Sequence, residues 1–120
     1  MNRKQLVREY KESKRPAGVY RVRCVANGKS LVGASIDLPA MLNRQQSQLR
    51  MGGHPNKALQ QDWNEHGAEA FEFEVLDTLE IPDRDGYDPK ADLRTLEEMW
   101  LDKLKPYGDG GYNAEPKRAT

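Results

Sequence analysis

The stretch GVYRVRCVANGKSLVGA, residues 18–34, predicts a β-hairpin and decides the fold. Its first half, residues 19–25, alternates as a β-strand does. The side chains on one face of that strand are Tyr20, Val22 and Cys24. Asn27-Gly28 follows, the strongest short-range hairpin signal, because both residue types tolerate positive φ. Residues 30–34 are therefore expected to form the returning strand.

Three helices and one more strand are predicted after the hairpin. The first helix runs from an Asp37 cap to Gly52-Gly53, and the second from about His54 to Glu65. Residues 70–79 alternate as a strand whose inward side chains are expected to be Phe71, Phe73 and Val75. A third helix covers about residues 90–105, with an apolar stripe at helical spacing. The pattern indicates an α+β fold: a small antiparallel three-stranded sheet flanked by helices.

The chain length suits one domain, since 120 residues is close to the commonest domain size. We expect an N-terminal helical extension at 1–16, a single domain at 17–114 and a tail at 115–120. No apolar run is long enough to span a bilayer, which argues against a membrane protein. The single cysteine excludes an internal disulfide framework and a cysteine-rich metal site. A cytoplasmic location is the resulting expectation.

The formal net charge is zero, but the charges are unevenly distributed along the chain. Residues 1–60 hold 12 Lys+Arg and 3 Asp+Glu, whereas residues 61–120 hold 7 and 16. A basic half can attract phosphates, and an acidic half can supply carboxylates to a metal. The alternative is that the two halves are solvated faces that pair with each other in the fold.

Glu97 is the first residue that suggests chemistry. It follows Leu93 by four residues and precedes Trp100 by three, which places it on or beside the buried face of the third helix. An isolated buried carboxylate is costly, so it needs a metal or a partner. The alternative is a border position, solvated or paired with Lys or Arg. The two histidines, His54 and His66, lie too far apart for a two-histidine metal motif on one helix.

Taken in order, several short motifs of the chain resemble the GIY-YIG nuclease family. The matching segments are GVY (18–20), NGK (27–29), LVG (31–33), ASIDL (34–38), HPNKALQQDWNEHGAEAFEFEVLDTLE (54–80), LEEMWLDKLKP (96–106) and GYN (111–113). The resemblance covers about residues 17–114. It implies the same α+β fold that the alternation and helical spacing predict independently.

The resemblance also implies a reaction, the hydrolysis of DNA phosphodiesters with one divalent metal, Mg²⁺ or Mn²⁺. By the matching motifs, Tyr20 would help to activate the attacking water, Glu97 would bind the metal, and Asn113 would support the site. A metal in such a site neutralises charge on the phosphorane and stabilises the leaving oxygen.

Three positions depart from the family pattern. Leu31 stands where the second signature normally has tyrosine, Met41 where the next helix normally has arginine, and Gln45 where a histidine is often found. Losing a cation that contacts the transition state costs on the order of 10²–10³-fold in rate. Arg44, three residues after Met41, is the best candidate to replace it. Further cations that could bind the substrate's phosphates are Arg21, Arg23, Lys29 and Arg50.

Three functions remain open at this stage. The first is a GIY-YIG-like protein that acts on or binds nucleic acid, DNA above all, with cleavage weakened or lost through Leu31 and Met41. The second is an active endonuclease with a rearranged site. The third is a protein-interaction module that inherits the fold alone. Since no DNA-reading module is expected beside the domain, targeting is expected to be weak, structure-selective or supplied by a protein partner.

Overall fold

Three antiparallel strands form the centre of the fold in a computed structural model, which describes residues 16–82 and 85–115. The strands are β1 (Ala17–Cys24), β2 (Ser30–Ser35) and β3 (Phe71–Leu79). The order is β2-β1-β3, so β2 and β3 are the two edges. The predicted hairpin is confirmed: the Cys24 N–H donates to the Lys29 carbonyl at 2.9 Å. Within the turn, Gly28 takes a φ of 78°, the left-handed conformation that favours glycine.

Three helices flank the sheet, as the sequence predicts: α1 (Leu38–Met51), α2 (Lys57–His66) and α3 (Lys90–Leu104). The Asp37 side chain caps α1, and Gly52 ends it with a φ of 79°. The predicted start of α2 at His54 is wrong. The Asn56 side chain accepts the Leu59 N–H at 3.1 Å, which fixes the helix start after Asn56 and leaves His54 in the preceding loop.

Each face of the sheet is covered by different helices. The larger core joins one face of β1 to α1 and α2 and contains Tyr20, Val22, Cys24, Leu38, Leu49, Leu59, Trp63, Phe71 and Tyr112. The opposite face carries the buried Ala17 and Val19, and α3 contacts β1 and β2 there. The prediction that Val75 points inward is wrong, because its side chain is 45% exposed. A register shift between Val19 and Tyr20 interrupts the pairing with β3 beside it.

The predicted ends of the domain lie largely outside the described residues. Of the predicted helical extension, Pro16 alone is described, and its carbonyl accepts the Leu38 N–H at 2.8 Å. Of the predicted tail, Glu115 is described. The proposed boundaries therefore stay predictions. Within the described residues, no helix is both long and apolar enough to cross a bilayer.

Candidate active site at the outer edge of strand β2

A close contact between Tyr20 and Gly33 shapes the centre of the site. The two residues are partners across β1 and β2. A Cβ added to Gly33 would lie 2.5 Å from the Tyr20 hydroxyl and 2.7 Å from the ring carbon that bears it. Because Gly33 has no side chain, the phenol of Tyr20 can lie directly over β2. The glycine in LVG and the tyrosine in GVY thus form one packing unit.

The GYN segment is attached to the outer edge of β2. The Tyr112 N–H donates to the Ser30 carbonyl at 2.8 Å. Two residues along the strand, the Asn113 amide donates to the Val32 carbonyl and accepts the Val32 N–H, both at 2.8 Å. An open sheet edge otherwise leaves such backbone groups unpaired. Asn113 therefore substitutes for a neighbouring strand at this point.

Glu97 lies at the same edge, two residues farther along β2. Its half-buried carboxylate accepts a hydrogen bond from the Ala34 backbone N–H. Burial raises the pKa of Glu97 above its ordinary value, and the neighbouring Glu98 adds to this. The Ala34 N–H and the Arg94 guanidinium oppose the rise without cancelling it. Glu97 is therefore a partly desolvated carboxylate, and the prediction that it sits beside the buried face of the helix is confirmed.

The charges of two predicted site residues, Glu97 and Arg44, act on Tyr20. Burial raises the pKa of the Tyr20 phenol above its ordinary value, and the Glu97 carboxylate raises it further. The Arg44 guanidinium acts in the opposite direction. The carboxylate of Glu97 on α3 and the guanidinium of Arg44 on α1 thus both act on the hydroxyl of Tyr20 on β1.

Gln45 and His54, to which the sequence assigned no role in the site, are linked to the Tyr20 hydroxyl. Gln45 contacts it directly, and His54 contacts Gln45. The Gln45 amide donates to the Tyr20 hydroxyl at 3.4 Å. The other atom of that amide, Gln45 Oε1, lies 2.5 Å from His54 Nε2. Nothing in the local sequence signals the placement of His54, because a histidine between Gly53 and Pro55 fits an ordinary loop. The contact arises from the way the α1–α2 connection folds back onto α1.

Comparison with protein-family models gives no match, and comparison with curated proteins gives none. Two solved structures are similar. One is the catalytic domain of homing endonuclease I-TevI, with 28% identity, a TM-score of 0.65, and coverage of 83% of this chain and 99% of that chain. The other is a mutant of the same catalytic domain, with 27% identity, a TM-score of 0.66, and coverage of 87% and 99%. The chain has the GIY-YIG fold.

Leu31 and Met41, which the sequence comparison with the family set apart, are placed where apolar side chains pack. Both are half-buried and pack against the larger core. Met41 Sδ also lies 3.5 Å from Gln45 Nε2, so two of the departing positions contact each other. Leu31 and Met41 therefore both face the core.

The remaining predicted phosphate-binding cations do not join the group around Tyr20: Arg21, Arg23, Lys29 and Arg50. Arg21 donates to Glu74 on β3 at 2.7 Å and 2.9 Å, and by strand alternation it lies on the sheet face opposite Tyr20. Arg23, two residues on, shares that face. Arg50 is exposed in the last turn of α1. Among the described residues, Arg44 is the cation whose charge acts on Tyr20.

A second carboxylate site involves α2. Asp62, Glu65 and His66 place one ligand atom each within 4.8 Å of one another, and among residues 16–82 and 85–115 no other such group occurs. Asp62 already accepts hydrogen bonds from the Tyr112 hydroxyl at 2.6 Å and the Asn27 amide at 2.8 Å. Burial alone would raise the pKa of Asp62, but these two bonds and nearby cations lower it. This cluster does not include Glu97.

Proposed function

We propose that this chain acts on DNA through a weakened GIY-YIG-type site that hydrolyses phosphodiesters with a divalent metal. The observation that carries the proposal is that the Tyr20 hydroxyl lies over Gly33 of β2 while Glu97 accepts a hydrogen bond from the N–H of the next residue, Ala34, and that the charges of Glu97 and Arg44 both act on Tyr20. The similarity to a homing endonuclease catalytic domain supports DNA as the substrate class. Retained Tyr20, Glu97 and Asn113 favour residual cleavage, whereas Leu31 and Met41 account for its weakness.

Each side chain has a role that its surroundings suit. The Tyr20 hydroxyl, which accepts a hydrogen bond from Gln45, still has its own proton to donate and a lone pair for the attacking water. Arg44 is exposed, so its guanidinium is free to meet a phosphate. Asn113 holds β2 in register with the GYN segment through Val32. Together these groups bind, orient and neutralise a phosphodiester at one strand edge.

Glu97 fits the requirements of a ligand for Mg²⁺ or Mn²⁺. Mg²⁺ sites commonly use one or two protein carboxylates and complete the shell with water and substrate phosphate. Glu97 offers one carboxylate with oxygen lone pairs to spare after the bond from Ala34. When bound, the ion would supply positive charge to the phosphate and the leaving oxygen. It would also give the partly desolvated Glu97 a counter-charge.

The proposed weakness follows from two missing polar groups. Met41 contributes a thioether to the core in place of a guanidinium, and Leu31 contributes no hydroxyl near Tyr20. A missing transition-state cation costs on the order of 10²–10³-fold in rate. Arg44 offsets part of that loss because its charge acts on the same site from one helical turn away.

The decisive experiment uses supercoiled plasmid, linear duplex and single-stranded DNA with Mg²⁺ or Mn²⁺. Glu97→Gln keeps an acceptor for the Ala34 N–H but removes the charge, so we expect cleavage to fall by about 10²-fold or more. Glu98→Gln is the matched control, because Glu98 is the exposed neighbour on the same helix. Cleavage that is equal in wild type and Glu97→Gln would show a contaminating nuclease and refute the enzyme.

DNA binding is tested separately from cleavage. We expect Arg44→Met to weaken binding and to reduce its salt dependence, since each phosphate contact contributes to the salt slope. Arg50→Met is the matched control on the same helix. If the wild type neither cleaves DNA nor binds it in a salt-dependent way, the remaining hypothesis is the protein-interaction module.

A further inference from the structure

Three buried side chains form a continuous hydrogen-bonded chain behind the proposed site. Tyr20, Gln45 and His54 are 6%, 8% and 6% exposed. The Tyr20 hydroxyl lies 3.4 Å from Gln45 Nε2, and Gln45 Oε1 lies 2.5 Å from His54 Nε2. His54 Nδ1 lies 2.9 Å from the Asn56 backbone N–H. The chain therefore runs from the backbone of the α1–α2 loop to the phenol on β1.

The direction of every hydrogen bond in this chain is set by the Asn56 backbone. A backbone N–H can only donate, so His54 Nδ1 must accept, and the proton of the neutral ring lies on Nε2. His54 Nε2–H then donates to Gln45 Oε1, which turns the amide NH₂ towards Tyr20. If the Gln45 amide were flipped, its NH₂ group would face the His54 Nε2–H, and two donors would meet with no acceptor between them. The Tyr20 hydroxyl is therefore the acceptor of its bond with Gln45.

The second donor of Gln45 is also occupied. Gln45 Nε2 lies 3.5 Å from Met41 Sδ, a weak acceptor. The buried amide thus has a partner for its oxygen and for both N–H groups. A guanidinium at position 41 would compete for the same space and add a charge next to the amide. The Met41 thioether therefore completes the hydrogen bonding of the buried Gln45 amide.

We propose that Gln45 and His54 are positioning residues that fix the orientation of the Tyr20 hydroxyl, an inference that rests on the proposed function and deepens it. Since Tyr20 accepts from Gln45, its own O–H proton must point elsewhere, away from α1. That proton is then available to a phosphate oxygen at the β2 edge, and the second lone pair of the hydroxyl to the attacking water. The charged groups that act on Tyr20 are Glu97 from α3 and Arg44 from α1, while His54 contributes a neutral ring from the loop.

The first test is nuclear magnetic resonance on the intact chain, and it does not require cleavage. At neutral pH the ¹⁵N shifts of His54 should report a neutral ring protonated at Nε2. Gln45→Met should shift the Nε2 resonance, and Tyr20→Phe should shift the Gln45 side-chain NH₂ signals. Gln46→Met, the adjacent glutamine on α1, is the matched control and should move neither. A ring protonated at Nδ1, or an Nε2 resonance indifferent to Gln45→Met, would overturn the chain of hydrogen bonds.

The second test is kinetic and separates positioning from mere stability. Gln45→Met should lower kcat about tenfold with little change in KM, because it disturbs the hydroxyl and leaves Arg44 and Glu97 in place. His54→Gln should lower kcat in the wild-type background and have a smaller effect in the Gln45→Met background, since linked residues are not additive. Additive effects, or a change in KM alone, would overturn the positioning role.

The two proposals fail in distinguishable ways. A wild type that cleaves DNA while His54 is protonated at Nδ1 would overturn this inference and leave the nuclease intact. A wild type that never cleaves would overturn the nuclease and with it the positioning role.

Discussion

Gly33→Ala is the sharpest single test of how the site is built. The new Cβ would lie 2.5 Å from the Tyr20 hydroxyl, and ordinary contact begins at 3.4 Å, so the hydroxyl must retreat by about 0.9 Å. Gly33 is not among the glycines with positive φ, so alanine brings no backbone strain and the effect is steric. Overpacking of this kind costs about 1–3 kcal/mol in the free energy of unfolding.

The same displacement should affect the proposed reaction more than it affects the fold. A misplacement of about 1 Å can cost on the order of 10²-fold in rate. The assay pairs urea unfolding with plasmid cleavage, and the matched control is Gly53→Ala, where a Cβ meets no atom within 4 Å. We expect the control to match the wild type in both measurements. If Gly33→Ala matched it too, the claim that Tyr20 packs on Gly33 would be refuted.

Three further predictions concern Asn113, Tyr112 and His54. Asn113→Asp leaves the Val32 carbonyl without its donor and should lower the free energy of unfolding by about 1–3 kcal/mol in urea denaturation; an unchanged midpoint would contradict the pairing. Tyr112→Phe removes a donor from Asp62 and should raise that carboxyl's pKa towards its ordinary value, measured by carboxyl ¹³C titration; a pKa that stays low would contradict the assignment. Burial lowers the pKa of His54 in the folded protein. As the pH falls below about 6.5, the unfolded chain therefore binds a proton on His54 before the folded protein does. The free energy of unfolding should then drop between about pH 7 and 5.5. The drop should be smaller in His54→Gln, and an equal drop would count against a buried neutral His54.

The fold was largely predictable because its signals are local. Alternation over residues 19–25, the Asn27-Gly28 turn and the Asp37 cap each act within a few residues, and β1, β2 and α1 follow them closely. The start of α2 was predicted wrongly because His54 and Asn56 both lie just before the helical pattern and either could mark its beginning. The cap went to Asn56, whose side chain reaches the Leu59 N–H.

The site was predictable in part, and the missing part depends on contacts between distant segments. Tyr20, Glu97 and Asn113 could be named from motifs, and Arg44 from its place one turn after Met41. The buried placement of His54 could not, because it depends on how the α1–α2 loop folds back onto Gln45, nine residues earlier in the chain. Similarly, the Arg21–Glu74 pair joins residues 53 apart, so a cation that looked free in the sequence is already paired.

The residues that match the family motifs do not carry equal weight as evidence for catalysis. Asn113 is fully accounted for by its two bonds to Val32, which a protein with no activity would need equally to close the β2 edge. Glu97 differs, because one hydrogen bond from Ala34 explains an acceptor at this position but not a charge. A glutamine would accept the same bond without the cost of desolvating a carboxylate. The Arg94 guanidinium offsets the charge on Glu97 without cancelling the effect of burial. Under the proposed function, a bound cation would supply the rest of the counter-charge, which makes Glu97 the residue at this edge that bears most directly on catalysis.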